Sequence, residues 1–279
     1  MRCVLMDNAI FVSGEKNYGP IIILADNLAE AWEKAVIAIM KGGYSKWVDA
    51  PDFKTGSKEC QMFIHVKNPA AEPRLHPSAI LQRDMAEKYA KNFVFGMEDI
   101  EKENTFDYTY FGRLRCYPDC EVRADWPNVV KDDAKRDELV KKLCDGKCNL
   151  RVIDQVQMAI DTFKKDPTRR SVVMHTWIPK RDLDKFSPKR EKSSSPCVTQ
   201  IQPQINDGKL HFVVVMKTND LFSAWPENAY AFTELQKYMA KEIGVEVGSY
   251  THFSVSMQIY QDIYEYANEL VNNPVLTKK

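Results

Sequence analysis

The tightest constraint on the fold of this chain lies at residues 199–216. There two β-rich runs, TQIQPQI at 199–205 and KLHFVVVM at 209–216, flank Asp207-Gly208. Asp-Gly between such runs fits the two-residue turn whose twist matches paired strands, because both of its central residues need positive φ. The pair reads as a β-hairpin, with Pro203, which has no N–H for a ladder, at an edge or a bulge. Helical periodicity brackets the hairpin. DQVQMAIDTFKK at 154–165 puts Val156, Ile160 and Phe163 on one face and ends at Asp166-Pro167. AYAFTELQKYMAKEI at 229–243 puts Phe232, Leu235, Met239 and Ile243 on another, with Gly244 as its stop. A further strand is expected at 171–177. One-sided helices interleaved with strands bury their apolar faces as an α/β (α+β) domain. We read residues 1–279 as one domain, with a less patterned half (1–150) and a half (151–279) that carries the motifs.

In the first half, residues 27–43 form the clearest helix. Asn27 and Glu30 fit a capping box, Leu28, Trp32, Val36 and Ile39 make a stripe, and Gly42-Gly43 stop it. From 51 to 78, PDF, TGS, NPAAEP and LHPS interrupt every periodic run, so loops and short strands are expected. A helix is expected over 79–95, then an aromatic strand at Tyr108–Tyr110 and a polar region to about 150. Within the second half, the charged, Pro- and Ser-broken segment 179–192 reads as a solvated loop.

Charge narrows the function classes. Lys and Arg total 39, as do Asp and Glu, so the chain lacks the positive field that a nucleic-acid polymer requires, and any anionic ligand must be gripped locally. No apolar run approaches the roughly eighteen residues of a membrane span, and the first residues lack a signal-peptide core. Seven scattered cysteines read as thiols in a reducing cytoplasm. Cys116-x3-Cys120 and Cys144-x3-Cys148 offer a zinc knuckle in a non-catalytic protein. Structural zinc sites more often space their first pair by two residues, so thiols in a polar insertion are the plainer reading and no metal is expected.

Three segments carry candidate chemistry. Cys197, in Ser195-Pro196-Cys197, lies between the charged loop and a hairpin strand. Its position alone fits either an exposed nucleophile or a buried, inert cysteine. Arg169 and Arg170 stand at a loop-to-strand junction, where paired guanidinium forks suit a phosphate as well as ordinary surface ion pairs. Residues 217–228, KTNDLFSAWPEN, concentrate polar groups between strand and helix, where the lip of a ligand pocket forms.

Taken together, DQVQ at 154–157, DPTRRSVV at 166–173, SPC at 195–197, DGKL at 207–210, KTND at 217–220, AWPENAYAF at 224–232 and HFSVSMQIY at 252–260 resemble the thymidylate synthase family in order and spacing. The related pyrimidine nucleotide hydroxymethylases share this skeleton. The resemblance implies a three-layer fold on a large mixed β-sheet, which forms the interface of a homodimer with shared active sites. It implies reductive methylation of dUMP to dTMP, with a hydroxymethylase acting on dUMP, dCMP or CMP as the alternative. The divergent first half and short C-terminus are closest to archaeal, methanogen-type members. The implied co-substrate is 5,10-methylene-tetrahydrofolate or 5,10-methylene-tetrahydromethanopterin.

By this resemblance Cys197 is the nucleophile that adds to C6 of the pyrimidine and makes C5 nucleophilic. Arg169 and Arg170 hold the phosphate from the partner subunit. Asn228 reads the pyrimidine edge, accepting from N3–H and donating to O4, which fits uracil. Asp220 holds the pterin, Tyr260 contacts the sugar, and Tyr110 helps move the C5 proton. Lys217 and Thr218 stand where the family commonly has Arg-Ser, Gln258 where it has His, and Val198 follows the nucleophile where His is common. The family's catalytic glutamate has no clear counterpart; Glu87 and Glu98 are candidates, with Arg74 as a further phosphate arginine.

Overall fold

A computed structural model describes residues 2–6, 9–13, 20–50, 53–97, 108–118, 152–179, 182 and 195–277. Its first half opens with β1 (Arg2–Met6), β2 (Ala9–Ser13), β3 (Ile21–Ala25), α1 (Leu28–Gly42), β4 (Tyr44–Ala50), β5 (Phe53–Val66) and α2 (Arg83–Phe95). A short α3 (Tyr110–Arg115) and β6 (Tyr117–Pro118) follow. The second half holds β7 (Val152–Ile153), α4 (Gln155–Lys165), β8 (Met174–His175), β9 (Val198–Asn206), β10 (Lys209–Asp220), α5 (Trp225–Ile243), β11 (Glu246–Tyr260) and α6 (Tyr264–Asn272).

Nine of these strands form one mixed sheet in the order β1-β2-β3-β5-β11-β10-β9-β8, with β4 paired to β5. β10 runs parallel to β11 and β3 parallel to β5, whereas the remaining pairs are antiparallel. Helices α1 and α5 pack on one face, and α2, α4 and α6 pack on those helices. This is the three-layer mixed α/β arrangement that the motifs imply. Alternation selects the covered face: Met62 and Ile64 of β5, Leu210, Phe212 and Val214 of β10, and Tyr250 and His252 of β11 are buried against it. Trp32, Val36 and Ile39 of α1 and Phe232, Leu235 and Met239 of α5 meet them from the helix side. Each large apolar side chain fully buried there contributes about 1.5–3 kcal/mol.

Several local expectations hold. Asn27 caps α1 by accepting from Glu30 N at 2.9 Å, although Glu30 returns its carboxylate to Asp26 N rather than to Asn27 N. Asp154 caps α4 through Gln157 N, and Val156, Ile160 and Phe163 are buried. The hairpin turns at Asp207 (φ 49°) and Gly208 (φ 71°), the two positive dihedrals that its turn requires. Pro203 pairs opposite Phe212 beyond the reach of two-residue β8, so it lies where β9 is the sheet edge.

Others fail for identifiable reasons. Residues 53–66 are one fourteen-residue strand, not broken segments. Gly56 interrupts the pattern because Gln261 crosses there; a β-carbon would come 2.5 Å from Gln261 Oε1. Tyr108–Tyr110 is not a strand. Thr109 accepts from Gly112 N at 2.9 Å and caps α3, which Tyr110 opens. The strand expected at 171–177 shrinks to Met174–His175, where the Gln155 side chain bonds both His175 N and His175 O at 2.8 Å in place of a further strand. Helix α5 begins at Trp225, four residues early, with Pro226 in its first turn, where a missing N–H costs nothing. No helix among the described residues is long and apolar enough to cross a membrane.

Candidate active site

The β9–β10 ladder slips at Val215/Met216, so that Met216 pairs with Val198. The Lys217 amide then donates to Cys197 O at 2.8 Å, fixing Cys197 against β10 just before β9 begins. Its thiol is half-buried, with Sγ 3.6 Å from Thr218 Oγ1. Lys217 Nζ donates to Ser195 Oγ at 2.6 Å and stands 5.8 Å from the Trp177 ring centroid. Trp177 Nε1 donates in turn to Pro196 O, so both flanks of the cysteine are held.

Parallel pairing of β10 with β11 places Asp220 beside Gln258. The Asp220 carboxylate accepts from Phe222 N and Ser223 N at 3.0 and 3.1 Å, which fixes the turn into α5. Burial pushes its pKa up, against the lowering effect of those amide hydrogens. Gln258 Nε2 donates to the Tyr260 hydroxyl at 2.9 Å. Asn228, in the first turns of α5, donates from Nδ2 to Asn219 Oδ1 at 3.4 Å and accepts from the Tyr89 hydroxyl at 3.2 Å. From α3 the Tyr110 hydroxyl accepts from Val198 N at 3.4 Å, and burial drives the Tyr110 pKa well above its ordinary value.

These groups line one cavity of about 580 Å³. It brings together Cys197, Tyr110, Lys217, Thr218, Asp220, Asn228, Gln258 and Tyr260. Segment 217–228 forms its wall as expected, although β10 runs through Asp220 and only Leu221–Ala224 connects strand to helix. A larger depression of about 730 Å³ between α2 and α5 contains Glu87 and several lysines but no candidate nucleophile.

Arg169 and Arg170 are exposed beyond α4 and do not line the Cys197 cavity; Arg169 Nε is 3.4 Å from Asp166 Oδ2. Arg74 is no phosphate ligand of this cavity. It is buried under α5, bonded to Glu234 and Thr233, with its guanidinium 3.8 Å from the Tyr230 ring centroid. Glu87 lies in the other depression, half exposed beside Arg83. Glu98, Cys120, Cys144, Cys148 and nearly all of segment 179–192 fall outside the described residues, whereas Cys116 is buried. Among the liners to which sequence reasoning gave no role are Tyr89 and Glu227. Glu227 stands inside the quoted AWPENAYAF motif, so its neighbour Asn228 was the available signal. Tyr89 had none, because the packing of α2 on α5 is a tertiary fact.

The thymidylate synthase family model matches residues 23–277. The chain belongs to the thymidylate synthase family. A protein of Methanocaldococcus jannaschii named "Putative thymidylate synthase" is 28% identical over 245 residues, covering 87% of this chain and 91% of that protein. One of the same name from Methanosarcina acetivorans is 25% identical over 251 residues, covering 90% and 94%. A third, from Methanothermobacter marburgensis, is 32% identical over 121 residues, covering 43% of this chain and 51% of its own. As a thymidylate synthase family member the chain is an enzyme, a methyltransferase of dTMP biosynthesis. The family binds dUMP and a pterin, and uses a methylene-folate-type one-carbon donor.

Proposed function

We propose that this chain is a thymidylate synthase that methylates dUMP reductively, with Cys197 as nucleophile. The observation that carries the reading is the gathering of Cys197, Asn228, Asp220 and Tyr260 in one cavity of about 580 Å³, large enough for a nucleotide beside a pterin ring. Addition of the Cys197 sulfur to C6 breaks the C5–C6 double bond and moves its electron pair to a C5 enolate, which attacks the one-carbon unit; after loss of the C5 proton and reduction of that carbon, the Cys197 thiolate leaves C6 and the C5–C6 double bond re-forms. The methylene-pterin supplies that carbon and, as hydride, the electrons that reduce it. Asn228 orients the ring through N3–H and O4. Lys217, Thr218 and Gln258 grip the nucleotide, and Tyr260 contacts its sugar. Tyr110, whose burial keeps its proton on, relays the C5 proton through its hydroxyl. Asp220, held rigid by two amide hydrogens, accepts from pterin N–H groups.

The methanogen relatives favour methylene-tetrahydromethanopterin over methylene-tetrahydrofolate as the donor. A homodimer is supported by the face of the sheet that no helix among the described residues covers. Phe63 and Phe253 stack there at 4.2 Å, and Leu24, Val213 and Val255 are exposed, an apolar surface that a second copy would cover. Exposed Arg169 and Arg170 are then free to reach the partner's cavity. The scattered cysteines favour a cytoplasmic setting, and the whole chain acts as one domain.

The test is release of tritium from C5-labelled dUMP, with dCMP and UMP alongside and each donor supplied in turn. Release from dUMP that vanishes in Cys197→Ser, with a methylated product by mass, supports the reading. A hydroxymethylated product moves the chain to the hydroxymethylase branch, and absence of release from every nucleotide overturns pyrimidine C5 chemistry.

A further inference from the structure

We propose that Glu227 is the proton donor of this site: its carboxyl gives a proton to the ring oxygen O4 as Cys197 adds to C6, and takes that proton back as the C4–C5 electron pair of the resulting enol forms the new carbon bond and the C4 carbonyl returns. The inference rests on the functional reading above. Its chemical basis is general. Thiolate addition places negative charge on O4 inside the cavity, and a carbonyl accepting that charge is stabilised by a proton as well as by hydrogen bonds. Asn228 donates an amide N–H there but cannot part with it.

Among the groups sharing the cavity, each of the other titratable side chains has a partner or an assigned role. Lys217 Nζ is bonded to Ser195. Tyr89 of α2 gives its proton to Asn228 Oδ1, and Tyr110 of α3 is bonded to Val198 N. Tyr260 of β11 accepts from Gln258, Asp220 of β10 anchors its own turn, and Tyr108 meets Tyr110 edge-on. Cys197 is the nucleophile. Glu227, by contrast, lines the cavity with no hydrogen-bond or ion-pair partner among the described residues. It is half-buried in the first turn of α5, directly before the residue that reads the ring edge, and it lies near enough to Tyr89 to act on its charge.

That position supports both halves of the cycle. Burial alone raises the Glu227 pKa above its ordinary value, which retains a proton for delivery. The helix N-terminus, which favours negative charge, lets the carboxyl part with it. The proton shuttles between Oε and O4 with no net change, so no further reactant is needed.

The experiment measures tritium release from C5-labelled dUMP across pH for the wild-type chain, Glu227→Gln, Glu227→Asp and Glu98→Gln, with equilibrium binding of dUMP by each as the folding control. Glu227→Gln still donates a hydrogen bond but has no proton to transfer. Its kcat for release should fall about 100-fold or more, with KM and dUMP binding within a few-fold of wild type. The descending alkaline limb of the wild-type pH profile should vanish, and Glu227→Asp should restore it in part. An active wild type with an unaltered kcat and pH limb in Glu227→Gln overturns this inference alone, as does a limb that disappears in Glu98→Gln instead. A change confined to KM also overturns it, since that marks a binding role. A wild type that releases no label overturns the functional reading and this inference together.

Discussion

The Tyr89 hydroxyl donates to Asn228 Oδ1 at 3.2 Å, across 139 residues of sequence. Asn228 Nδ2 donates to Asn219 Oδ1 at 3.4 Å, and Asn219 Nδ2 approaches Met216 Sδ at 3.2 Å. The three bonds run in one direction and leave Asn228 with one lone pair and one N–H for a ligand. That is the complement of the uracil edge, which offers N3–H and O4. A cytosine edge needs the amide turned over, with Nδ2 toward Tyr89 and Oδ1 toward the Asn219 carbonyl oxygen.

Removing the donor should therefore loosen base selection before it harms the fold. Tyr89→Phe should cost about 0.5–1.5 kcal/mol of the proposed dUMP interaction, a fall of roughly 2- to 13-fold in kcat/KM. The preference for dUMP over dCMP should narrow with it. Competition between the two labelled nucleotides measures this directly, and an unchanged ratio would show that Tyr89 does not set the orientation of Asn228.

How much of this was legible before the structure follows from the kind of signal involved. The hairpin at Asp207-Gly208, the Asn27 and Asp154 caps and the stripe of α5 are local, so periodicity and turn chemistry expose them. The cavity was legible where motif residues sit at Cys197 and on β10, α5 and β11, and at Tyr110 of α3. Tyr89 enters through the packing of α2 on α5, which no spacing rule encodes, whereas Glu227 was signalled only by its neighbour Asn228. Tyr108–Tyr110 misled because aromatic residues favour strands, while the Thr109 cap, a single side-chain bond, decides for helix. Arg74 and Glu87 were candidates by residue type alone, and burial under α5 or exposure beside Arg83 removed them from the cavity.

His252 should leave a signature in the pH dependence of stability. It is fully buried on β11 between the Tyr250 hydroxyl, 2.8 Å from Nδ1, and Ser254 Oγ, 3.0 Å from Nε2. Burial lowers its pKa from 6.5 to about 3. The unfolded chain then binds a proton that the folded chain refuses, so this contribution is intact above pH 6.5 and is lost as pH falls from 6.5 toward 3. Its slope is about 1.4 kcal/mol per pH unit. Urea unfolding between pH 7 and 5 should show the His252→Gln variant less acid-sensitive than wild type, though less stable at pH 7. Equal acid slopes would mean that His252 is not held neutral.

Arg113 and Asp182 form a buried ion pair, with two bonds of 2.9 Å, and Arg113 also donates to Thr176 O while Asp182 accepts from Ile178 N. The pair ties α3, which carries Tyr110, to the segment that carries Trp177 and leads toward Cys197. Arg113→Ala strands a buried carboxylate and should lower unfolding free energy by about 3–5 kcal/mol. Arg113→Lys should recover only part of this, because an ammonium cannot make the planar fork. Denaturant titration checks the order. Full stability in Arg113→Ala would show that the carboxylate finds another partner.

Shared sites make a stricter demand than dimerisation alone. Arg169 and Arg170 stand exposed outside the cavity formed by their own chain, while the open sheet face carries Phe63 and Phe253. If the arginines serve the neighbour, Cys197→Ala and Arg170→Ala inactivate different halves of each site. In a heterodimer of the two variants, one site loses both groups and the other regains both. Coexpression at equal levels should restore roughly a quarter of wild-type activity after random pairing, although each variant alone is inactive. Adding Phe63→Asp to both chains places a charge on the face to be buried and should abolish this recovery, with sedimentation showing monomers. Heterodimers that form without recovering activity would place Arg170 in its own chain's site, and full activity of Arg170→Ala alone would remove it from the site altogether.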